Sequence, residues 1–301
     1  MSDTTAHDVV VIGAGAAGLS AVRQTLQAGL STAWLEASMF GGLILNVNEL
    51  DGHIRGSGAE LSATWLAEAM ELGGENLEAV ASGIEREGDA LVVVSDAGRH
   101  RARAVIVASG AALKKLDVPG EAALEGKGVS HCADCDGPMF RGQDVTVVGG
   151  GDSALQSAVV LAGYCNRVHL VHRGSSWRAA PHWQAAVDAR SNIEVHLNSE
   201  VSEVLGTDGV QGVRVNGQEL ACAGFFAFVG LAPSSGFLPA AIARDDHGAV
   251  RVVDGLQTAM PGVFAAGVVR SGCGGTLQDA VADGEAAARA VVDRLAAHAP
   301  G

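Results

Sequence analysis

Hydrophobic and polar positions along this chain form blocks that predict a strand, a turn and a helix in repeated order. Residues 8–13, DVVVIG, are a β-branched run that stops at glycine, which is typical of a buried strand. Residues 16–29 then carry apolar side chains at helical spacing, and residues 32–35 predict a second strand that ends at Glu36. The first block therefore predicts a strand, a glycine turn, a helix and a second strand.

The same order returns in the middle of the chain. Residues 144–148 predict a strand, a glycine turn and a helix follow, and residues 167–171 predict the next strand. Further strand-like runs lie between the two blocks at 91–94 and 104–109. Two such blocks predict an α/β protein with two Rossmann-like, nucleotide-binding domains.

Turn-rich segments suggest where one domain is inserted into the other. Residues 116–128 and 231–239 are interpreted as linkers. Beyond the second linker, residues 262–266 predict one more strand and residues 279–297 an alanine-rich amphipathic helix. The predicted domains are residues 1–115 with 240–301, and residues 116–239 inserted between them.

Composition and charge restrict the possible partners. The chain has 301 residues, 48% hydrophobic and 18% charged, which fits globular domains with sizeable cores. The formal charge of −14 repels phosphate backbones, so we expect no nucleic-acid partner. No apolar run approaches the roughly 18–20 residues of a membrane span, and the start lacks a basic signal-peptide region. We therefore expect no membrane association and a cytoplasmic location.

The first glycine turn matches a dinucleotide-binding fingerprint. Gly13, Gly15 and Gly18 have the spacing G-x-G-x-x-G between a strand and a helix, with Ala16 opening the helix. Glycines here allow a tight turn and bring the helix N-terminus against a pyrophosphate. Glu36 can accept hydrogen bonds from ribose hydroxyls. The alternative is a glycine-rich turn without a ligand.

The second glycine turn is a variant of the same fingerprint. Gly149, Gly151 and Ala154 occupy its three small positions, and Asp152 and Ser153 open the following helix. Alanine suffices at the third position, which needs only a small residue for helix packing.

The strand after the second fingerprint ends in His172 and Arg173 rather than in an acid, and Arg178 follows. Guanidinium groups at this place favour a ribose 2′-phosphate, and hence NADPH over NADH. The alternative is that both arginines are ordinary solvated surface residues.

Cys132 and Cys135 form the one C-x-x-C pair among five cysteines. Such a pair can close a small disulfide ring and often holds one thiolate at lowered pKa, and Asp136 is close enough to exchange a proton with it. A structural zinc site would need two more ligands at a matching spacing. We interpret Cys165, which we place in a helical stretch, and Cys222 as buried and inert thiols. Cys273 lies in a glycine-rich segment.

Taken together, these motifs resemble the low-molecular-weight thioredoxin reductases. GAGAAG, ASG at 108–110, CADCDG, GGGDSA, HRGSSWR and GVFAAG follow the family's order along nearly the whole chain. CDGPMF at 135–140 is also similar to the flavoprotein subunit of alkyl hydroperoxide reductase, without that protein's N-terminal extension. The resemblance implies FAD on the first fingerprint, NADPH on the second, and the dithiol within the NADPH domain. It also implies rotation between the domains.

The resemblance adds further contact residues and a partner. The additional cofactor-binding residues that it implies are Gly41, Gly42, Gly110, Gly267, Val268 and Gln278. The implied substrate is thioredoxin or a similar small disulfide protein, and we expect a homodimer.

Three departures from the family pattern surround the flavin. Val268 stands where the family has an aspartate on the ribityl chain, a loss of about 1 kcal/mol at the usual worth of a hydrogen bond. The family's Arg-Gln-Ala is here Leu277, Gln278 and Asp279, and Leu43 replaces a glutamine. These changes bear on the flavin's potential and on the acceptor.

The function predicted from the sequence is NADPH-dependent disulfide reduction through FAD and the Cys132/Cys135 pair. One alternative is an FAD-dependent dithiol oxidase that closes a disulfide in a small molecule with oxygen as acceptor, although the arginine pair argues against it. Another is a non-catalytic redox sensor that binds dinucleotides.

Overall fold

The computed structural model describes residues 6–36, 39–47, 50 and 56–298. The chain divides into two compact units. Met1–Ala112 and Ala232–Gly301 form the first, and Leu113–Leu231 form the second. One unit is thus inserted into the other along the chain.

Strands and helices alternate through most of the described residues. The strands are β1 Ala6–Ile12, β2 Thr32–Glu36, β3 Glu75–Glu78, β4 Ala81–Glu87, β5 Ala90–Ser95, β6 Gly98–Val107, β7 Ala111–Leu113, β8 Val129–Ser130, β9 Asp144–Val148, β10 Arg167–Val171, β11 Ile193–His196, β12 Val201–Gly206, β13 Val210–Val215, β14 Gln218–Ala221, β15 Gly224–Ala227, β16 Leu231–Pro233 and β17 Val263–Ala265. The α-helices are α1 Ala16–Gln27, α2 Gly58–Glu71, α3 Ala133–Asp136, α4 Asp152–Ala162, α5 Pro181–Asp188 and α6 Leu277–Ala297.

The first unit is built on a seven-stranded mixed sheet with the order β3-β2-β1-β6-β5-β4, and β17 also pairs with β6. The central strand β1 runs parallel to both β2 and β6. Its residues Val9, Val10 and Val11 are all fully buried, because layers cover both faces of the sheet. Helices α1 and α6 pack together on one face, around a core that includes Trp34.

The second unit repeats the arrangement at smaller size. A five-stranded parallel sheet has the order β11-β10-β9-β15-β8, and an antiparallel sheet β12-β13-β14 packs nearby. Val145 and Val147 of β9 point into a core shared with α4, whereas Val148 lies in the core formed with the antiparallel sheet. Successive side chains of β9 enter different cores because side chains in a strand point alternately to the two faces of the sheet.

The chain passes from one unit to the other within a two-stranded ribbon of β7 and β16. Residues 116–128, which we predicted as a linker, lie inside the second unit instead. Within that segment Leu124 is buried, and a Cβ added at Gly120 would lie 1.9 Å from the Val204 carbonyl oxygen. Tight packing against β12 therefore accounts for Gly120.

The two duplicated blocks appear at the predicted places, with β9 and β10 at the predicted residues. Strands β3, β4 and β12–β14 were not predicted, because their short, half-exposed sequences carry a weak alternation. Among the described residues, no helix has both the length and the apolar character needed to cross a bilayer.

Candidate functional site

The first fingerprint contains two glycines that the protein itself requires and one that it does not. Gly13 has φ +102°, and a Cβ there would lie 2.4 Å from the Ala108 carbonyl oxygen. A Cβ on Gly18 would lie 1.9 Å from the Gly13 carbonyl oxygen. At Gly15 the nearest atom to such a Cβ is 3.8 Å away. The space over Gly15 is therefore open for a ligand to approach the backbone closely.

Glu36 lies at the end of β2, beside this turn. Its Oε2 accepts a hydrogen bond from the Ala14 N–H at 2.8 Å, so the carboxylate is tied to the fingerprint backbone. Gly41, at φ +103°, donates its N–H to the Ala14 carbonyl at 2.7 Å. Gly42 follows with φ +58°. Gly41 and Gly42 both lie next to Gly15. The acid and the loop thus border the open space.

The C-terminal part of the first unit closes against the same helix. Gly267, at φ +77°, approaches Ala17 of α1, and a Cβ on Gly284 of α6 would lie 2.2 Å from the Ala17 carbonyl oxygen. Gln278 is exposed in the first turn of α6, and Gly110 at φ +67° is open to solvent on its Cβ side. The implied FAD residues therefore share one unit with the fingerprint.

Val268 is half-buried, and a carboxylate that the sequence analysis missed lies in its neighbourhood. Asp283 of α6 is 7% exposed and accepts the Gly267 N–H at 2.9 Å. It also accepts two hydrogen bonds from Arg270, each at 2.6 Å. These hydrogen bonds raise the pKa of Arg270 against the opposing effect of burial. The sequence signal for this residue was an acid four positions before Ala287, on the face of α6 that points into the core.

The second fingerprint repeats the pattern of required and open glycines. Gly149 has φ +148°, and a Cβ there would lie 2.4 Å from the Phe228 carbonyl oxygen. No atom lies within 4 Å of a Cβ built on Gly151. The third position is Ala154, which is fully buried, whereas Asp152 and Ser153 are exposed in the first turn of α4. This turn also leaves an open approach to its backbone.

A cavity of about 280 Å³ adjoins the second fingerprint, and both predicted arginines line it. Arg173 and Arg178 are exposed, and within the described residues neither guanidinium forms an ion pair. His172 is 7% exposed, with its Nε2 3.1 Å from the Ser176 carbonyl oxygen and its ring stacked on Trp177. His172 thus positions the loop, and the arginines remain available for a ligand.

The helices that follow the two fingerprints begin differently from α2 and α6. Gly15 and Gly151 are the N-cap residues of α1 and α4, and neither helix has a side-chain cap. Helices α2 and α6 instead carry complete capping boxes, Ser57 with Glu60 and Thr276 with Asp279. The uncapped N–H groups of α1 and α4 form two anion-binding ends, which fit the pyrophosphates of two dinucleotides.

Cys132 and Cys135 form a disulfide, with their Cα atoms 5.3 Å apart. Cys135 is exposed and Cys132 is half-buried. The Cys135 N–H donates to Cys132 Sγ at 3.1 Å. Asp136 Oδ2 accepts the Ser130 hydroxyl at 2.6 Å, and Ser130 Oγ in turn accepts the Cys132 N–H at 3.2 Å. The Asp136 carboxylate is thereby connected, through one hydroxyl, to the backbone N–H of Cys132.

Charged groups flank the disulfide on its N-terminal side. His131 Nε2 lies 2.9 Å from Glu125 Oε1, and Lys115 Nζ lies 2.8 Å from Glu125 Oε2. Burial opposes ionisation of Glu125, but hydrogen bonding and the charges of Lys115 and His131 outweigh it and lower its pKa. The flank therefore carries an ionised carboxylate between two basic groups.

The other thiols differ from the redox pair. Cys165 and Cys222 are buried, as predicted, and burial raises the pKa of each to about 11. Cys165 lies after the end of α4 at Ala162 rather than in a helix, which corrects the sequence assignment. Cys273 is partly exposed. A thiol with so high a pKa is a poor nucleophile near neutral pH.

Two fingerprints and a disulfide on one chain coincide with the features of known flavoproteins. The family model described as pyridine nucleotide-disulphide oxidoreductase matches residues 7–284. The chain belongs to this family, among the low-molecular-weight thioredoxin reductases. It is therefore an NADPH-dependent, FAD-containing disulfide oxidoreductase.

Individual relatives match over almost the full chain. Thioredoxin reductase of Treponema pallidum is 34% identical over 97% of this chain and 98% of its own. That of Mycolicibacterium smegmatis is 38% identical over 87% of this chain and 88% of its own. The crystal structure of Lactococcus lactis thioredoxin reductase matches with a TM-score of 0.92 at 33% identity, covering 97% of this chain and 99% of that one.

Proposed function

We propose that this enzyme reduces thioredoxin, or a similar small disulfide protein, with electrons from NADPH. The observation that carries the proposal is the Cys132–Cys135 disulfide. Cys135 is exposed, and the backbone N–H of Cys132 is connected to Asp136 through the Ser130 hydroxyl. The relatives from Treponema pallidum and Mycolicibacterium smegmatis are thioredoxin reductases, which supports this substrate class.

We assign the two cofactors to the two units. FAD belongs to the first unit, predicted as residues 1–115 and 240–301, because Glu36 and the loop at Gly41 border the open space over Gly15. NADPH belongs to the second, predicted as residues 116–239, because Arg173 and Arg178 line its cavity. When bound, FAD supplies two-electron transfer between a nicotinamide and a disulfide.

The chain's own residues then perform disulfide exchange. Two electrons break the Cys132–Cys135 bond and leave two sulfurs, of which one takes up a proton. Asp136 is held beside the pair by Ser130, whose hydroxyl also accepts the Cys132 backbone N–H, and it is the carboxylate to which we assign the exchange of that proton. The Cys135 N–H would stabilise a thiolate at Cys132, so Cys132 attacks the substrate disulfide. Cys135, which we assign to the flavin side, then resolves the mixed disulfide and reforms the Cys132–Cys135 bond.

Serine variants of each cysteine test this electron path. Under anaerobic conditions Cys132→Ser and Cys135→Ser should keep their visible flavin absorbance and its loss with NADPH, but reduce neither thioredoxin nor a disulfide dye. Cys273→Ser is the matched control and should behave as wild type. Full disulfide reduction by either variant would refute the path. Oxygen consumption driven by a small dithiol, without NADPH-dependent reduction, would instead support the dithiol oxidase.

The proton role of Asp136 has its own test. Asp136→Asn preserves size and hydrogen bonding but removes the charge, and it should slow turnover by about 10²-fold or more. Flavin reduction by NADPH should be unchanged, which single-turnover absorbance measurements can separate from turnover. If turnover remains at the wild-type rate, Asp136 is not the proton-transfer group.

We also propose that the enzyme works as a homodimer in the cytoplasm. Light scattering of the purified enzyme and fractionation of cells test these two statements. The strongly negative charge supports the absence of a nucleic-acid partner.

A further inference from the structure

A cluster of three potential metal ligands lies in the second unit on two neighbouring strands. In the parallel pair β10 and β11, His169 is opposite Glu194, and His196 follows two residues later. Because side chains alternate along a strand, Glu194 and His196 face the same side of the sheet as His169. The register therefore brings two imidazoles and one carboxylate together.

The distances between the potential ligand atoms are short. His169 Nδ1 lies 3.3 Å from His196 Nε2. Glu194 Oε2 lies 3.6 Å from His169 Nδ1, and Glu194 Oε1 lies 3.7 Å from His196 Nε2. In a tetrahedral site with metal–ligand bonds of about 2.0–2.1 Å, two ligand atoms are roughly 3.3–3.4 Å apart. The three side chains thus already stand near the separations that a tetrahedral ion requires.

The two facing nitrogens favour a shared partner. At most one of His169 Nδ1 and His196 Nε2 can carry a hydrogen toward the other, since two N–H groups would repel at 3.3 Å. A cation bound by both nitrogens and by Glu194 uses a lone pair from each. The alternative is one N–H···N hydrogen bond with no ion.

The three side chains of the cluster differ in their exposure to solvent. The side chain of His169 is 5% exposed, that of His196 is 23% exposed and that of Glu194 is 48% exposed. One ligand is therefore fixed within the fold, and the other two leave access from solvent. A fourth position filled by water would face outward.

One basic side chain opposes cation binding at this place. Arg167 Nη1 lies 3.2 Å from Glu194 Oε2 and so competes for the carboxylate. Asp144 adds negative charge near His169, but its Oδ1 accepts a hydrogen bond from Asn166 at 2.6 Å. Removal of the Arg167 charge should therefore strengthen a metal site, an effect that is opposite to that of removing a ligand.

We propose that His169, Glu194 and His196 bind one zinc ion, or another borderline divalent ion that takes two imidazoles and a carboxylate. The bound ion links the edge strand β11 to β10, whose end carries His172 and Arg173. This site is separate from the redox disulfide and does not depend on the proposed substrate.

Zinc titration of the FAD-loaded, oxidised enzyme tests the proposal. The background variant Cys273→Ser removes the partly exposed thiol, and the intact disulfide keeps Cys132 and Cys135 from binding metal. Equilibrium dialysis with metal analysis should give one zinc per chain. Cobalt in place of zinc should give the visible absorption of a tetrahedral site, at longer wavelength than the flavin.

Substitutions in the cluster should move zinc affinity in opposite directions. Glu194→Gln and His196→Gln should each weaken zinc binding at least about 10-fold. Arg167→Gln should strengthen it several-fold, and His182→Gln, an exposed histidine on α5, should leave it unchanged. If zinc binding is absent, or is equal in wild type and in the Glu194→Gln and His196→Gln variants, the proposal is wrong. His169 and His196 then form only a hydrogen-bonded pair beside Glu194.

Discussion

The two fingerprints have the same backbone plan but differ at the positions that select a ligand. In both, the first glycine is enforced by a carbonyl oxygen of a neighbouring strand end, Ala108 or Phe228, and the second glycine is open. The difference begins at the third position. Gly18 has no room for a Cβ, whereas Ala154 is accommodated and fully buried. The two turns therefore share one backbone plan, which leaves no room for a Cβ at Gly18 and accommodates a methyl group at Ala154.

The second difference lies at the end of the following strand. In the first unit Glu36 binds the fingerprint backbone through Ala14, so an acid is held where ribose hydroxyls are recognised. In the second unit His172 is buried in the loop, and the exposed Arg173 and Arg178 take the outer place. The two units thus share one glycine turn and differ in the charge at the next strand end, which is the feature to which we assign the choice between FAD and NADPH.

The largest expected effect is a reciprocal exchange at the third fingerprint position. Gly18→Ala would place a methyl group 1.9 Å from a backbone oxygen, so we expect a destabilisation beyond the ~1–3 kcal/mol of ordinary overpacking, with loss of flavin. Ala154→Gly should cost only about 0.5–1 kcal/mol. Denaturation followed by flavin release and by circular dichroism measures both variants.

Gly15→Ala is the matched control for that exchange. The position has space for a Cβ, so the protein should fold normally while FAD affinity falls, since the methyl group points toward the proposed ligand. A Gly18→Ala variant as stable as Gly15→Ala would show that the helix shifts to make room.

The sequence predicted the parts of this comparison that depend on local pattern. Both glycine turns, their strands and the C-x-x-C pair could be recognised because strand and helix periods and loop spacing are local properties. The Arg270–Asp283 pair could not, because the partners meet only when α6 packs beside the turn at Gly267. The cluster of His169, Glu194 and His196 likewise depends on the register of two strands.

The start of α6 shows how a departure from a family motif can have a local cause. Asp279 is one of the departures from the family pattern near the flavin, and the sequence predicts it as the first residue of the last helix. In the structure α6 begins at Leu277, and Asp279 is the third helical residue, which closes a capping box with Thr276. A threonine followed three residues later by an acid was the available signal.

The second largest expected effect is on the preference for NADPH, and it comes from the arginines that follow β10. The double variant Arg173→Ala with Arg178→Ala should raise the KM for NADPH about 10²-fold, because charge-assisted hydrogen bonds to the 2′-phosphate are worth roughly 1.5–3 kcal/mol each. The KM for NADH should hardly change. Steady-state kinetics with both nucleotides measures the ratio.

Arg190→Ala provides the control, since Arg190 is also exposed in the second unit but does not line the cavity. It should leave the preference for NADPH intact. Equal losses with NADPH and NADH in the double variant would mean that Arg173 and Arg178 support the loop instead of recognising phosphate.

A smaller effect is expected in the first unit at Val268. Val268→Asp restores the acid of the family pattern and should tighten FAD binding by a factor of several, or about 1 kcal/mol for one hydrogen bond. Arg270 already neutralises Asp283 nearby, so the second carboxylate would not face an unpaired charge. Val268→Asn controls for size and polarity. Unchanged or weaker affinity in Val268→Asp, measured by titration of the apoprotein, would show that the site is built around valine.

The smallest expected effect concerns the capped helix α6, in contrast to the uncapped helices of the two fingerprints. Thr276→Ala removes the hydroxyl that binds the Asp279 N–H and should destabilise the first unit by about 1 kcal/mol or less. The Thr276 hydroxyl, followed by its N–H, lowers the pKa of Asp279, so this stabilisation is complete above the ordinary carboxyl pKa and is lost as the pH falls through the lowered value. The advantage of the wild type over Thr276→Ala should therefore become smaller below about pH 4, where only the hydrogen bond from the Asp279 N–H to the hydroxyl is left. Thr64→Ala, an exposed threonine within α2, is the control, and a pH-independent difference between wild type and Thr276→Ala would show that Asp279 does not stabilise this helix end through its charge.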